Sequence, residues 1–148
     1  MAPSLLIVDD EPGIQGALEA LFGGEFEVIL AADGVEALEW VGRVRVDAVL
    51  MDLRMPGMGG GEALRRIRER QPGLAVLMMS ATAPTGELWE GMGRLADGFI
   101  LKPWDVGLLW ALVARAARRG RVGMGWRCLR GDEEILNPIH NYGIVHLN

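Results

Sequence analysis

A chain of 148 residues, half of them apolar and 24% charged, is long enough to bury a full core and too apolar to remain disordered. Fifteen bases against 20 acids leave a net charge of −5, which excludes a nucleic-acid binder that works by bulk charge. Its single cysteine, Cys128, excludes a disulfide framework; with no leader-like opening and no run of about 18 uncharged apolar residues, a cytoplasmic globular protein is expected, with no membrane contact.

Leu5-Leu6-Ile7-Val8 is a continuous apolar run, the pattern of a strand covered on both faces. Pro12 suits a first helical turn, and Ile14, Ala17, Leu18, Leu21 and Phe22 repeat at helical spacing until Gly23-Gly24. Phe26, Val28 and Leu30 alternate as a half-exposed strand does, which suits a sheet edge. Asp33-Gly34-Val35-Glu36 has capping-box spacing and opens a second helix through Leu38 and Val41. Ala48 to Met51 is a third strand, followed by Asp52 and a Met-Pro-Gly loop. Leu64 and Ile67 mark a third helix, which Pro72-Gly73 stops. Leu74 to Met79 is the fourth strand. The helical stretch from Thr85 to Leu95 holds Gly86, Gly91 and Gly93, each costing about 1 kcal/mol against Ala, and should be the loosest. Gly98 to Leu101 is a fifth strand, and Trp104 to Arg119 a strong final helix.

Five β-α repeats imply an α/β fold, a parallel sheet with helices on both faces. Right-handed crossovers and the edge-like second strand favour a doubly wound, flavodoxin-like sheet in the order 2-1-3-4-5. Ligands of such sheets bind beyond the carboxyl ends of the strands, at the switch point between strands 1 and 3.

Those ends carry Asp9-Asp10 and Glu11, then Asp52, Ser80 and Lys102. Carboxylates gathered at one edge repel by roughly 4 kcal/mol per pair at about 4 Å and an effective dielectric near 20, so they must be protonated, paired or metal-bound. An all-oxygen cluster with open positions suits Mg²⁺. Each residue also has a plain reading: Asp10 caps a helix, Ser80 makes a turn. Lys102 differs in kind, because the other 14 bases are all Arg. A sole Lys implies a need for a compact ammonium rather than a planar fork. Taken together, Asp52 is a carboxylate nucleophile for a phosphoryl group, with Mg²⁺ on Asp9, Asp10 and Asp52 and with Lys102 and Ser80 on the phosphoryl oxygens.

Ile7-Val8-Asp9-Asp10-Glu11, Met51-Asp52-Leu53-Arg54-Met55-Pro56, Met79-Ser80-Ala81 and Leu101-Lys102-Pro103 stand in order, each at a strand end. In these four pieces the chain resembles the receiver domain of bacterial two-component response regulators, over residues 4–119 or so. The resemblance implies phosphorylation of Asp52 by a sensor histidine kinase or histidine phosphotransfer protein. It implies Mg²⁺ held by Asp10 and Asp52, by Asp9 through water, and by the main-chain carbonyl of Arg54. It places Ala81 and Lys102 on the phosphoryl group and makes Ser80 and Phe99 a switch pair, Phe99 having a plain core reading as well. It also implies a cis Lys102–Pro103 bond, and a signalling face formed by the 85–95 stretch, the fifth strand and the final helix. A downstream output domain or protein and a phosphorylation-dependent dimer are left open.

Two departures stand out. Arg54 places a long cation where many relatives carry a smaller polar residue, and Met58 precedes Gly59-Gly60-Gly61 where an acid or amide is more usual. Trp104 and Trp110 read as helix packing, and Arg115, Arg118, Arg119 and Arg121 as a solvated cluster at a helix end. The composition breaks near Gly120. Residues 1–120 contain no Asn, His, Cys or Tyr and hold 17 acids against 12 bases, whereas residues 121–148 balance three against three. This divides the chain into a receiver domain, 1–120, and a tail, 121–148. The tail reads as an output-domain stub, an adapter segment or a foreign extension, the compositional break slightly favouring the last, with Tyr142 to Leu147 an isolated strand. Cys128, His140 and His146 match no zinc spacing.

A Mg²⁺-dependent phosphatase or phosphotransferase with an aspartyl-phosphate intermediate is the alternative function. Such an enzyme needs a second acid two residues after the nucleophile, and Arg54 stands there. A nucleotide-binding domain lacks its glycine fingerprint after strand 1. A receiver-like module that is never phosphorylated is opposed by the complete acid, serine and lysine set.

Overall fold

The computed structural model describes residues 2–82 and 91–120, and the backbone of Arg127–Arg130, Glu133–Leu136 and Ile144–His146. The expected order appears in the parallel strands β1 (Ser4–Val8), β2 (Glu27–Ala31), β3 (Ala48–Asp52), β4 (Ala75–Ser80) and β5 (Gly98–Leu101). They lie as 2-1-3-4-5, with Leu5 opposite both Val28 and Ala48, Leu50 opposite Leu77, and Leu77 opposite Gly98.

Alternate residues of each strand feed two cores, because successive side chains leave a strand on opposite faces. Leu6, Val8, Val49, Met51, Val76, Met78 and Phe99 meet Ala37, Leu38 and Val41 of α2 (Gly34–Arg43) and Ala63, Leu64 and Ile67 of α3 (Gly60–Arg70). Leu5, Ile7, Leu50, Leu77, Met79 and Ile100 meet Leu18 and Phe22 of α1 (Pro12–Phe22) and Leu109 and Val113 of the final helix (Val106–Arg119). The β1, β3 and β4 strands are buried throughout, as their unbroken apolar runs require, while β2 at the edge stays half-open.

Several expectations are refined. Glu11 occupies the N-cap of α1 without a side-chain cap bond, so Asp10 does not cap that helix. Half of the capping box forms at α2: the Asp33 carboxylate accepts from the Glu36 N–H at 2.9 Å, while Glu36 reaches back to the Ala32 N–H at 2.9 Å instead of to Asp33. The final helix starts at Val106, not at Trp104, because Asp105 takes the N-cap and accepts from the Leu108 N–H at 2.9 Å. Trp104 therefore lies outside the helix. Trp110 does pack from within it, edge-on to Phe26 at 6.0 Å between ring centroids. Most of the stretch from Thr85 to Leu95 lies outside the described residues; residues 91–93 are helical.

Beyond the five core strands the sheet carries three more, Arg127–Arg130 (β6), Glu133–Leu136 (β7) and Ile144–His146 (β8). An isolated strand near Tyr142–Leu147 is thus corrected. Ile144 and Val145 pair in parallel with Phe99 and Ile100 of β5, and β8 also pairs with β6. The tail supplies strand partners of its own, since β6 pairs with both β7 and β8. Arg121 and His140 lie outside the described residues.

Candidate functional site

The carboxyl ends of β1, β3, β4 and β5 bring the four sequence pieces together. Asp9 follows β1 and is fully buried. Its N–H donates to the Ala31 carbonyl at 3.1 Å, its Oδ1 accepts from the Glu11 N–H at 2.9 Å, and its Oδ2 lies 3.3 Å from Lys102 Nζ. Asp10 is exposed beside it. Asp52, the last residue of β3, is 7% exposed, and its Oδ2 lies 3.8 Å from Lys102 Nζ. Carboxylate oxygens of Asp9, Asp10 and Asp52 all fall within 4.8 Å of one another.

Ser80 ends β4, 2% exposed. Its carbonyl accepts from the Lys102 N–H at 2.9 Å, and its Oγ accepts from the Thr82 N–H at 3.2 Å. Ala81 is exposed next to it. The Lys102–Pro103 bond is cis. Phe99 lies fully buried in β5 within the core that holds Met78 and Met92, an inward position for its ring. The Arg54 side chain is exposed, while its main-chain N–H favours the charged form of the Asp52 carboxylate.

Three features escaped the sequence reading. Gln15 of α1 donates its amide to the carbonyls of Asp9 at 2.7 Å and Ala31 at 2.9 Å, tying together the ends of β1 and β2. Only its polar type in a first helical turn hinted at this. Gly60 explains part of the triple glycine: a Cβ there would run into the Asp52 carbonyl oxygen and come within 2.9 Å of Leu53 Cα. The glycine lets α3 start directly against the strand that carries Asp52. The third is Trp104, whose ring centroid lies 5.8 Å from Lys102 Nζ.

Burial raises the Asp52 carboxyl above the ordinary aspartate value. Lys102 opposes this, Asp9 and Asp10 add to it by like-charge repulsion, and the Arg54 N–H opposes it. Just above the ordinary value the folded chain therefore holds more protons than the unfolded one, so stability falls as pH rises through that window. Above the folded value the whole cost of the charge is present. Asp52→Asn removes it, so melting of the metal-free protein at pH 7 should move upward, by about 4 °C for each kcal/mol relieved. The gain should shrink as the pH is lowered toward about 4, near the ordinary aspartate value. Calorimetry of both proteins across that range checks this, and identical melting at every pH would refute it.

One ammonium cannot neutralise three carboxylates, so the cluster keeps excess negative charge on an open side formed by Asp10. An all-oxygen donor set with a solvent-facing position fits Mg²⁺, a hard ion that keeps several waters. The arrangement suits acceptance of an anionic group at the Asp52 oxygen, with the Lys102 ammonium beside it. A separate cavity of about 460 Å³ lies at the opposite ends of the strands, lined by Arg45, Gln71, Arg118 and Arg119 among others. It takes no part in this cluster.

A family profile described as "Response regulator receiver domain" matches residues 5–114. Among curated relatives, the DNA-binding response regulator MtrA of Mycolicibacterium smegmatis is 33% identical over 141 residues, 95% of this chain and 61% of MtrA. Response regulator Rre1 of a Synechocystis strain is 35% identical over 120 residues, 78% of this chain and 52% of Rre1. The chain thus spans between about half and three-fifths of the length of these relatives. The receiver domain of the sensor histidine kinase PA1611 from Pseudomonas aeruginosa, solved with a magnesium ion coordinated in its active-site cleft, superposes with a TM-score of 0.72 at 28% identity, covering 80% of this chain and 99% of that one. A CheY-like receiver domain protein from Methanospirillum hungatei gives 0.75 at 26% identity, covering 80% and 95%. With the strand order, the acidic cluster and this match over most of its length, the chain belongs to the receiver domain family of two-component response regulators.

Proposed function

We propose that Asp52 is the phosphoryl acceptor of this receiver, supplied by a sensor histidine kinase or a histidine phosphotransfer protein. One observation carries the reading: the chain's sole lysine lies between a fully buried Asp9 and the largely buried carboxylate of Asp52. An Asp52 oxygen attacks phosphorus and forms an acyl phosphate, while the bond from phosphorus to the donor nitrogen breaks and its electron pair stays on the imidazole. A carboxylate nucleophile carries no proton to remove, so it needs no general base. Lys102 offers its ammonium to the phosphoryl oxygens, and Ser80 and Ala81 border the same position. Asp9, Asp10 and Asp52, with the Arg54 carbonyl, would hold Mg²⁺, which neutralises charge on the transferring group.

The switch is assigned to Ser80 and Phe99, acting on the face that includes β5 and the final helix. Against a phosphatase or phosphotransferase stands Arg54, exposed and basic where such an enzyme needs an acid. We read residues 1–120 as the receiver and 121–148 as an output-side segment; a match with MtrA over 141 residues supports this over a foreign extension. Among the described residues no helix is long and apolar enough to cross a membrane, and a cytoplasmic location suits the kinase partner.

Incubation with a small acyl-phosphate donor and Mg²⁺, followed by intact mass measurement, tests the assignment. The expected result is one added phosphoryl group, absent in Asp52→Asn and absent without the metal. An unchanged mass under every donor and metal condition sinks it, as does an equal gain in the variant.

A further inference from the structure

We propose that Trp104 is a positioning residue for Lys102, holding the ammonium over the carboxylate cluster by the face of its indole. The rate effect rests on the assignment of Asp52 above; the contact itself does not.

Lysine carries a compact charge on a flexible four-carbon stem with about 2 kcal/mol of rotamer entropy. For Lys102 to meet a phosphoryl group on arrival, its stem must be held. Its contacts with Asp9 at 3.3 Å and Asp52 at 3.8 Å do this only by spending the charge on carboxylates. The Trp104 ring, 5.8 Å away at its centroid, lies within the range of a cation–π contact. A π face attracts the ammonium without neutralising it, so the positive charge stays available to a newcomer.

The ring is itself held in place. Trp104 packs against the core shared by α1 and the final helix, and its neighbour Asp105 is fixed as the cap of that helix. The indole N–H is buried and has no hydrogen-bond partner among the described residues. That cost would vanish with phenylalanine, which has the same apolar character and no N–H. What tryptophan adds over phenylalanine is a larger ring with the stronger π face. The orphaned N–H therefore favours a role for the ring face over simple packing.

Because Lys102 is the sole lysine, full-length protein grown with lysine ¹³C-labelled at Cε yields one side-chain resonance. It should be shifted by the indole ring current in the wild type, less shifted in Trp104→Phe, and at the free-lysine position in Trp104→Leu. With a small acyl-phosphate donor and Mg²⁺, transfer should slow about five-fold in Trp104→Leu and about two-fold in Trp104→Phe. The phenylalanine variant keeps the test decisive if the leucine variant does not fold. An unshifted resonance in the wild type overturns the inference, as does transfer at the wild-type rate in Trp104→Leu. A wild type that takes up no phosphoryl group overturns the Asp52 assignment instead, while the resonance still decides the contact.

Discussion

Lys102→Arg is expected to slow phosphoryl transfer to Asp52 by about two orders of magnitude, the size of effect seen when one preorganised donor to a developing charge is lost. The formal charge is unchanged, so the loss must come from shape. Lys102 Nζ sits between Asp9 Oδ2 and Asp52 Oδ2, with the side chain 18% exposed. A guanidinium is larger, planar and suited to bidentate pairing, so in this gap it would bind both carboxylates and turn its fork away from an incoming phosphoryl group. Lys102→Ala should be slower still, because Asp9 then loses its buried counter-charge and the Asp52 carboxyl is pushed further upward. Mg²⁺ binding gives an independent readout. Without the ammonium the cluster repels a divalent cation less, so Lys102→Ala should bind Mg²⁺ at least as tightly while transferring more slowly. Calorimetric titration with Mg²⁺ and timed intact mass measure the two effects. A wild-type rate in Lys102→Arg would remove the case for a compact ammonium.

The largest effect on stability is expected far from the cluster. Arg68 of α3 is 7% exposed and its guanidinium donates to the carbonyls of Leu95 at 2.6 Å, Pro72 at 3.0 Å and Leu74 at 2.6 Å. It also lies 3.2 Å from the Asp97 carboxylate, which in turn accepts from the Val76 N–H at 2.8 Å. These contacts join the end of α3, the start of β4 and the approach to β5. Arg68→Ala takes the guanidinium away from the carbonyls of Leu95, Pro72 and Leu74 and from the Asp97 carboxylate, which keeps the Val76 N–H, and breaking such a pair from one side costs about 3–5 kcal/mol. At about 4 °C per kcal/mol, melting should fall by roughly 12–20 °C. Arg68→Lys should recover little, since one ammonium cannot reach acceptors on three sides. Urea unfolding of the three proteins checks this, and a loss under about 1 kcal/mol in Arg68→Ala would show the network to be ornamental.

Much of the cluster was legible in the sequence for a local reason. Strands covered on both faces must be apolar, so Asp9, Asp52 and Ser80 stand out as the points where each apolar run stops. The parallel sheet then puts all those stops on one edge. Lys102 was legible by count, as the one base that is not arginine. Trp104 was misread as a helix residue because its apolar side chain continues the periodic pattern of the final helix, and only the Asp105 cap reveals where that helix begins. Gln15, Gly60 and Arg68 gave no periodic signal. Each acts through hydrogen bonds or a close approach to other segments, and a lone polar or small residue in a helix carries no mark of what it will face.

The sequence by itself determined the five-strand parallel order, the two apolar cores and the list of residues able to do chemistry, because burial leaves a periodic trace in residue type. Only the tertiary structure decided which of them meet. Lys102 reaches Asp9 across 93 positions of chain, and the Trp104 face meets that ammonium although the same ring reads as plain packing. Such contacts depend on how crossovers fold the sheet edge together, and a pairing made by that folding leaves no periodic trace in the chain.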